Sequence, residues 1–124
     1  MERTMNCKIG IFSQRVIDLL GLKEAAGTAI YIGPSNIKHM QQRHPADYAK
    51  YQSQIGLILL QPDYVGLHPS NGSIEFVKEF KIDNEFVKVA VRVSGKGTYF
   101  VRSMYVLQEK RVKNFIQKGN LHQV

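Results

Sequence analysis

The feature that most constrains this chain is a change of hydrophobic period near Pro62. Beyond it, three segments alternate apolar and polar residues: Ile74 to Ile82, Glu85 to Ser94 and Thr98 to Leu107. A period of two is that of a strand with one buried face. The separators, Asp83-Asn84 and Gly95-Lys96-Gly97, have the chemistry of tight hairpin loops. Val65 to His68 is a further short strand, followed by the turn Ser70-Asn71-Gly72-Ser73. The second half is therefore expected to form a four-stranded antiparallel meander.

The first half reads as helices. Ile9 to Phe12 suits a short strand, and Ser13 is an N-cap for a helix carrying Val16, Ile17, Leu19 and Leu20, closed by Gly21. Thr28 to Ile32 reads as a buried strand. Gly33-Pro34 breaks the chain, and Ser35 is expected to cap a helix running to about Arg43. Pro45 opens another, with Tyr48, Tyr51, Ile55 and Ile58 at helical spacing up to about Leu60, although Gly56 weakens it. Glu109 to Lys118 forms a short basic helix closed by Gly119. The expected fold is α+β, one domain over residues 1–124, with N-terminal helices packed beside the four-stranded sheet and a short C-terminal helix.

Hairpin register decides which side chains meet. A two-residue loop at Asp83-Asn84 puts Phe80 opposite Val87, Phe76 opposite Val91 and Ile74 opposite Val93, an apolar face interrupted by Lys78 opposite Val89. The other face then pairs Glu79 with Lys88 and Glu75 with Arg92, which accounts for those cations as cross-strand partners. A three-residue loop at Gly95 to Gly97 lines up Lys78, Val89 and Ser103, with Tyr105 two residues along. A loop one residue different puts Arg102 in that row instead of Ser103.

Seventeen Lys and Arg against ten Asp and Glu give a net charge of +7 and a pI near 9.6, which favours a polyanionic partner. The charge is dispersed, with no basic tail. No apolar run approaches the ~18 residues of a membrane helix. The polar start shows no secretory h-region. Cys7 is alone, so no internal disulfide forms, which is consistent with a reducing compartment. A cytoplasmic location without membrane contact is the expectation, and a processed or transferred toxin exported by another route fits the same start.

Reactive groups are densest from Lys38 to His44, which holds two imidazoles and two fixed cations within seven residues. Metal-free RNA cleavage needs a base for the 2′-OH, an acid for the leaving 5′-oxygen, and cations for the charge on phosphorus. Histidine serves both proton transfers near neutrality. The same segment also fits a solvated amphipathic helix with Ile37 and Met40 inward. His39 and His44 are five residues apart, about 140° round a helix, unlike the four-residue spacing of a zinc helix. No metal or cofactor is expected. Lys78 reads either as an ammonium near phosphate or as a side chain snorkelling to the sheet edge. Arg102 lies among Tyr99, Phe100 and Tyr105, a basic and aromatic mixture suited to stacked bases.

Four stretches together resemble the phage-linked nuclease domains related to barnase, EndoU, colicin D and RelE: Ile30-Tyr31-Ile32 leading to His39 and Arg43-His44; Pro62 to Gly66; Ser73 to Lys78; and Tyr99 to Tyr105. The similarity runs from about Lys8 to Leu121. It implies a small α+β nuclease that cleaves RNA without metal, often as a toxin or effector of a mobile element. In the colicin D-like pattern, Lys-His on a helix and Ser-x-aromatic on a late strand match Lys38-His39 and Ser103-x-Tyr105. Taken with the residue chemistry above, His39 is the expected acid or base and His44 its partner or a substrate-orienting group. Lys78 would stabilise the phosphorane, Ser103 and Tyr105 would hold phosphate or sugar, and Lys38, Arg43 and Arg102 would bind the backbone. The barnase arrangement of Glu, Arg and His along the strands is not matched. RNA, with transfer RNA as one candidate, is the implied substrate, and an antitoxin or immunity protein the implied partner. Two other classes fit the same residues: a non-catalytic RNA- or DNA-binding module, and a protein-interaction domain acting as inhibitor or adaptor.

Overall fold

A computed structural model describes residues 5–124. Strand β1 (Cys7–Ile11) leads to helix α1 (Gln14–Leu20), strand β2 (Ala29–Ile32) and helices α2 (Pro34–Arg43), α3 (Pro45–Tyr51) and α4 (Ile55–Leu60). Strands β3 (Tyr64–Leu67), β4 (Ile74–Phe80), β5 (Glu85–Val93) and β6 (Tyr99–Leu107) follow, then helix α5 (Glu109–Gln117) and strand β7 (His122–Gln123).

Local chemistry explains the element ends. Ser13 Oγ accepts the N–H of Val16, and α1 stops at Gly21, whose φ of 62° suits a residue without a Cβ. Helix α2 starts earlier than the Ser35 cap expected from sequence. Gly33 is its N-cap, Pro34 takes the first helical position, and Asn36 Oδ1 accepts from Gly33 N at 2.9 Å. Proline already has a helical φ and no N–H to satisfy there, so the break lies before it. No helix among the described residues is long and apolar enough to cross a membrane.

The expected four-stranded sheet is corrected to seven strands among the described residues, in the order β1-β2-β6-β5-β4-β3-β7. Strand β2 joins β6 in parallel through Ile30↔Tyr99 and Tyr31↔Phe100, and β1 adds antiparallel to β2. At the far edge β7 pairs with β3 through two residues. These pairings are short, and the β2–β6 pair is distant in sequence, so periodicity does not announce them.

The register also differs. Residues 81–84 form the β4–β5 turn, with Asn84 at φ 53°, so the two-residue Asp83-Asn84 loop is replaced by a longer one. Phe80 now faces Glu85, Lys78 faces Val87, Phe76 faces Val89 and Ile74 faces Val91. A slip of two residues keeps every side chain on its expected face and changes only its neighbours. In β6 the pairing shifts between Val91↔Val101 and Ala90↔Ser103, so Arg102 is the extra residue of a β-bulge. Ser103 and Tyr105 therefore lie on the face opposite Lys78, and the row Lys78–Val89–Ser103 does not exist. Lys78 packs towards the helices and its Nζ donates to the carbonyl of Gln61, just after α4.

The first sheet face carries the main core. Phe76, Val89, Val91, Val101 and Met104 meet Val16, Ile37, Met40, Tyr51, Ile55 and Ile58 from the helices. The second face has a smaller core at one end, where Val77 and Leu107 pack with Val112 of α5 and Leu121. Helices α2 and α3 pack along β6 beyond its short pairing with β2, and Asp47 accepts the edge N–H of Val106 at 3.0 Å.

Gly66 admits no side chain, because a Cβ there would lie 1.8 Å from the backbone oxygen of Asn120. Gly66→Ala is expected to destabilise the fold by about 2–3 kcal/mol in urea unfolding, whereas Gly95→Ala, with open space around it, stays within about 0.5 kcal/mol. A tether of different origin joins α3 to the start of β5: Tyr51 Oη donates to Glu85 at 2.7 Å, beside the Lys50–Glu85 pair. Burial, then the hydrogen bond to Glu85, pushes the Tyr51 phenol from 10.0 up to about 12. The folded chain thus keeps a proton that the unfolded chain releases. Stability should be complete below pH 10 and fall as pH rises to about 12, and Tyr51→Phe should flatten that fall in pH-dependent unfolding.

Candidate active site

The part of the second sheet face that α5 leaves open forms a cleft of about 240 Å³. Its floor is Glu75 from β4, Lys88, Ala90 and Arg92 from β5, and Ser103 and Tyr105 from β6. His39 contributes from α2, and His68, Asn71 and Ser73 from the segment between β3 and β4. The volume falls below the ~300–1,000 Å³ of pockets that engulf a small ligand, which suits a segment of a longer molecule.

The bulge shapes this floor. Two residues of β6 there oppose one of β5, and Arg102 and Ser103 both line the cleft although adjacent in sequence. Without the extra residue, simple alternation would send one of them to the core.

Glu75 and Lys88 are each only 6% exposed, and Lys88 Nζ donates to Glu75 Oε2 at 2.7 Å. Burial is the strongest single influence on Lys88 and lowers its pKa. Hydrogen bonds to Glu75 and Tyr105, with the charges of both, outweigh it and hold the pKa above the ordinary lysine value. Lys88 is therefore a fixed cation in the floor at neutral pH. Its Nζ lies 4.7 Å from the centroid of the Tyr105 ring, a cation–π contact. The imidazole of His44 stacks on the same ring at 4.7 Å.

Arg92 Nε donates to Ser73 Oγ at 2.8 Å, which leaves the two terminal amino groups of its guanidinium for a ligand. His68 Nδ1 accepts the N–H groups of Ser70 and Asn71, at 3.2 and 3.3 Å. In the neutral ring this puts the proton on Nε2 and makes His68 a donor. Among the described residues no group of three His, Cys, Asp or Glu side chains converges as a metal site.

Of the residues singled out from sequence, His39, Arg102, Ser103 and Tyr105 meet in the cleft. His44 stands behind them, stacked on Tyr105. Lys38 and Arg43 are exposed on α2 and do not line the cleft. Lys78 is on the other side of the sheet, bound to Gln61. Sequence reasoning missed Glu75, Lys88, Arg92, His68, Asn71 and Ser73 as site residues. The signal was there: Glu75, Lys88 and Arg92 share the face opposite the valine row. Pairing Glu79 with Lys88 and Glu75 with Arg92 explained them away. In the structure Lys88 reaches Glu75, and Arg92 reaches Ser73.

Removing one member of the buried pair strands the other. Lys88→Met is expected to cost about 3–5 kcal/mol in urea unfolding at neutral pH, and the double change Glu75→Leu/Lys88→Met much less. Equal losses in the single and double variants would show that the pair is not the coupled unit described.

The family profile described as phage-Barnase-EndoU-ColicinE5/D-RelE like nuclease 3 matches residues 7–114, which include every strand and helix that lines the cleft. No curated protein and no solved structure matches the chain significantly. With the profile spanning most of its length, the chain belongs to the phage-Barnase-EndoU-ColicinE5/D-RelE like nuclease 3 family.

Proposed function

We propose that this nuclease is a metal-independent endoribonuclease that cleaves RNA by attack of the 2′-hydroxyl on the adjacent phosphorus. The observation that carries the reading is the composition of the cleft: two imidazoles (His39 and His68), three cations (Lys88, Arg92 and Arg102) and three hydroxyls (Ser73, Ser103 and Tyr105) around one buried carboxylate, Glu75. That set supplies proton transfer and charge stabilisation from side chains alone.

In this reading His39 takes the 2′-OH proton, and the 2′-oxygen forms a bond to phosphorus as the bond to the 5′-oxygen breaks. Lys88, with Arg92 and Arg102, stabilises the added charge on the phosphorane, the role that sequence reasoning gave to Lys78. The leaving 5′-oxygen is far more basic than an ammonium group, so Lys88 is the protonated neighbour assigned to it. Glu75 acts through Lys88, holding its ammonium in place. Ser103 and Tyr105 hydroxyls and His68 Nε2 bind phosphate or sugar oxygens. His44 sets the Tyr105 ring. Lys38 and Arg43 bind flanking phosphates from the exposed side of α2.

The family description supports a phage-associated setting, and we extend it to a toxin or effector acting on cellular RNA, with transfer RNA a first candidate. An RNase of this kind in the cytoplasm calls for an inhibitor protein. The test is cleavage of total RNA and purified transfer RNA in EDTA. The expected products end in a 2′,3′-cyclic phosphate and a 5′-hydroxyl, DNA stays intact, and a folded His39→Ala variant loses about 10²–10⁴-fold in rate. Scission of DNA, a requirement for added metal, or salt-dependent RNA binding without scission by inhibitor-free protein would overturn the proposal.

A further inference from the structure

A second polar cleft of about 260 Å³ adjoins the first, and Arg92 and Arg102 line both. Asn6, Ser35, Asn36, Ser94 and Phe100 complete it. Nothing in the chemistry above uses these five residues. Phe100 lies opposite Arg92 in the β5–β6 pairing, one strand repeat before the bulge. Its ring is half-buried and packs against Tyr31 with centroids 6.2 Å apart, which fixes its plane while leaving surface free.

We propose that this cleft is a nucleobase subsite that selects an oxo-base, guanine or uracil, in the nucleotide next to the cut. The proposal rests on the reading of the neighbouring cleft as the place where RNA is cut. A phosphate above the shared arginines places an adjoining base beside Phe100. Aromatic side chains are the usual platform for an unpaired base and accept every base. Discrimination must then come from the polar rim.

That rim is rich in donors. Asn36 Oδ1 already accepts from Gly33 N at 2.9 Å, which settles the orientation of the amide and leaves Nδ2 to donate. Ser35 and Asn36 stand in the first turn of α2, where backbone N–H groups have no helical acceptor. The guanidinium groups of Arg92 and Arg102 add further donors. Guanine offers O6 and N7, and uracil two carbonyl oxygens, to such a rim. Adenine and cytosine direct an amino group at it, and donor facing donor leaves both unpaired.

The test is binding of the four nucleoside 3′-monophosphates to the intact chain by NMR titration, together with cut-site mapping on total RNA. GMP and UMP are expected to bind about 10-fold more tightly than AMP and CMP. Asn36→Asp keeps the acceptor for Gly33 and removes one donor of the rim, so it should reduce this preference to about 3-fold or less. Phe100→Leu should weaken all four about 10-fold alike and keep the preference. His39→Ala should slow cutting without moving the cut sites. Oxo-base preference in binding but no scission would uphold the subsite and overturn the RNase reading. Scission with no base preference, or a preference unmoved by Asn36→Asp, would overturn the subsite and leave the RNase reading standing. No binding of any nucleotide would overturn the subsite as well.

Discussion

One extra residue in β6 divides this molecule into a core and a cleft. Before the bulge, Val101 points to the helices. After it, Met104 and Val106 do, while Arg102, Ser103 and Tyr105 belong to the open face. An unbroken strand alternates strictly and cannot keep both Val101 and Met104 inward, because they are three residues apart. The bulge resolves this by inserting a polar residue that needs no partner in the ladder. The apolar core thus requires the same irregularity that brings Arg102 beside Ser103.

The open face is limited by its surroundings. Helix α5 covers Val77 and Leu107, so the apolar end of the second face is buried and only its polar part meets solvent. At the β6 edge, α2 and α3 replace the strand partner that β2 supplies only at Tyr99 and Phe100. Asp47 satisfies the exposed N–H of Val106, which removes a sticky edge. The buried Glu75–Lys88 pair is a costly way to fill a sheet face, since desolvation often exceeds the attraction of the two charges. What the pair secures is a cation in the cleft floor, because the carboxylate keeps Lys88 charged and still.

Faces were legible in the sequence, and neighbours were not. The alternation from Ile74 to Val93 correctly separates the valine row from Glu75, Lys88 and Arg92, since a slip of two residues leaves faces unchanged. Loop length controls the partner, and a turn over 81–84 is no less plausible than a two-residue one at Asp83-Asn84. The bulge carries no signal of its own, and it alone sends Ser103 and Tyr105 away from Lys78. His39 was legible because helix α2 is, and the helix lies where the strand before it must lead. Strands near β1 and β2 are legible as strands, but their joining of the sheet at β6, and the two-residue β7, depend on contacts distant in sequence or very short, which local pattern cannot rank.

His39 within α2 and His44 just beyond it show how one short segment sends two imidazoles to different places around the cleft. His39 lies within the helix, exposed to solvent, and lines the cleft. His44 lies just past the last turn, at φ −140°, where the helix has ended ahead of Pro45. That break turns its ring onto Tyr105, which Lys88 also contacts. Tyr105 is thereby held by a stacked ring and by a cation whose own position Glu75 fixes. The phenol is preorganised at the cleft, and little ordering of it remains to oppose the binding of a ligand there. Proline at position 45 therefore affects the cleft without touching it: by ending α2 there, it leaves His39 in the cleft lining and His44 behind Tyr105.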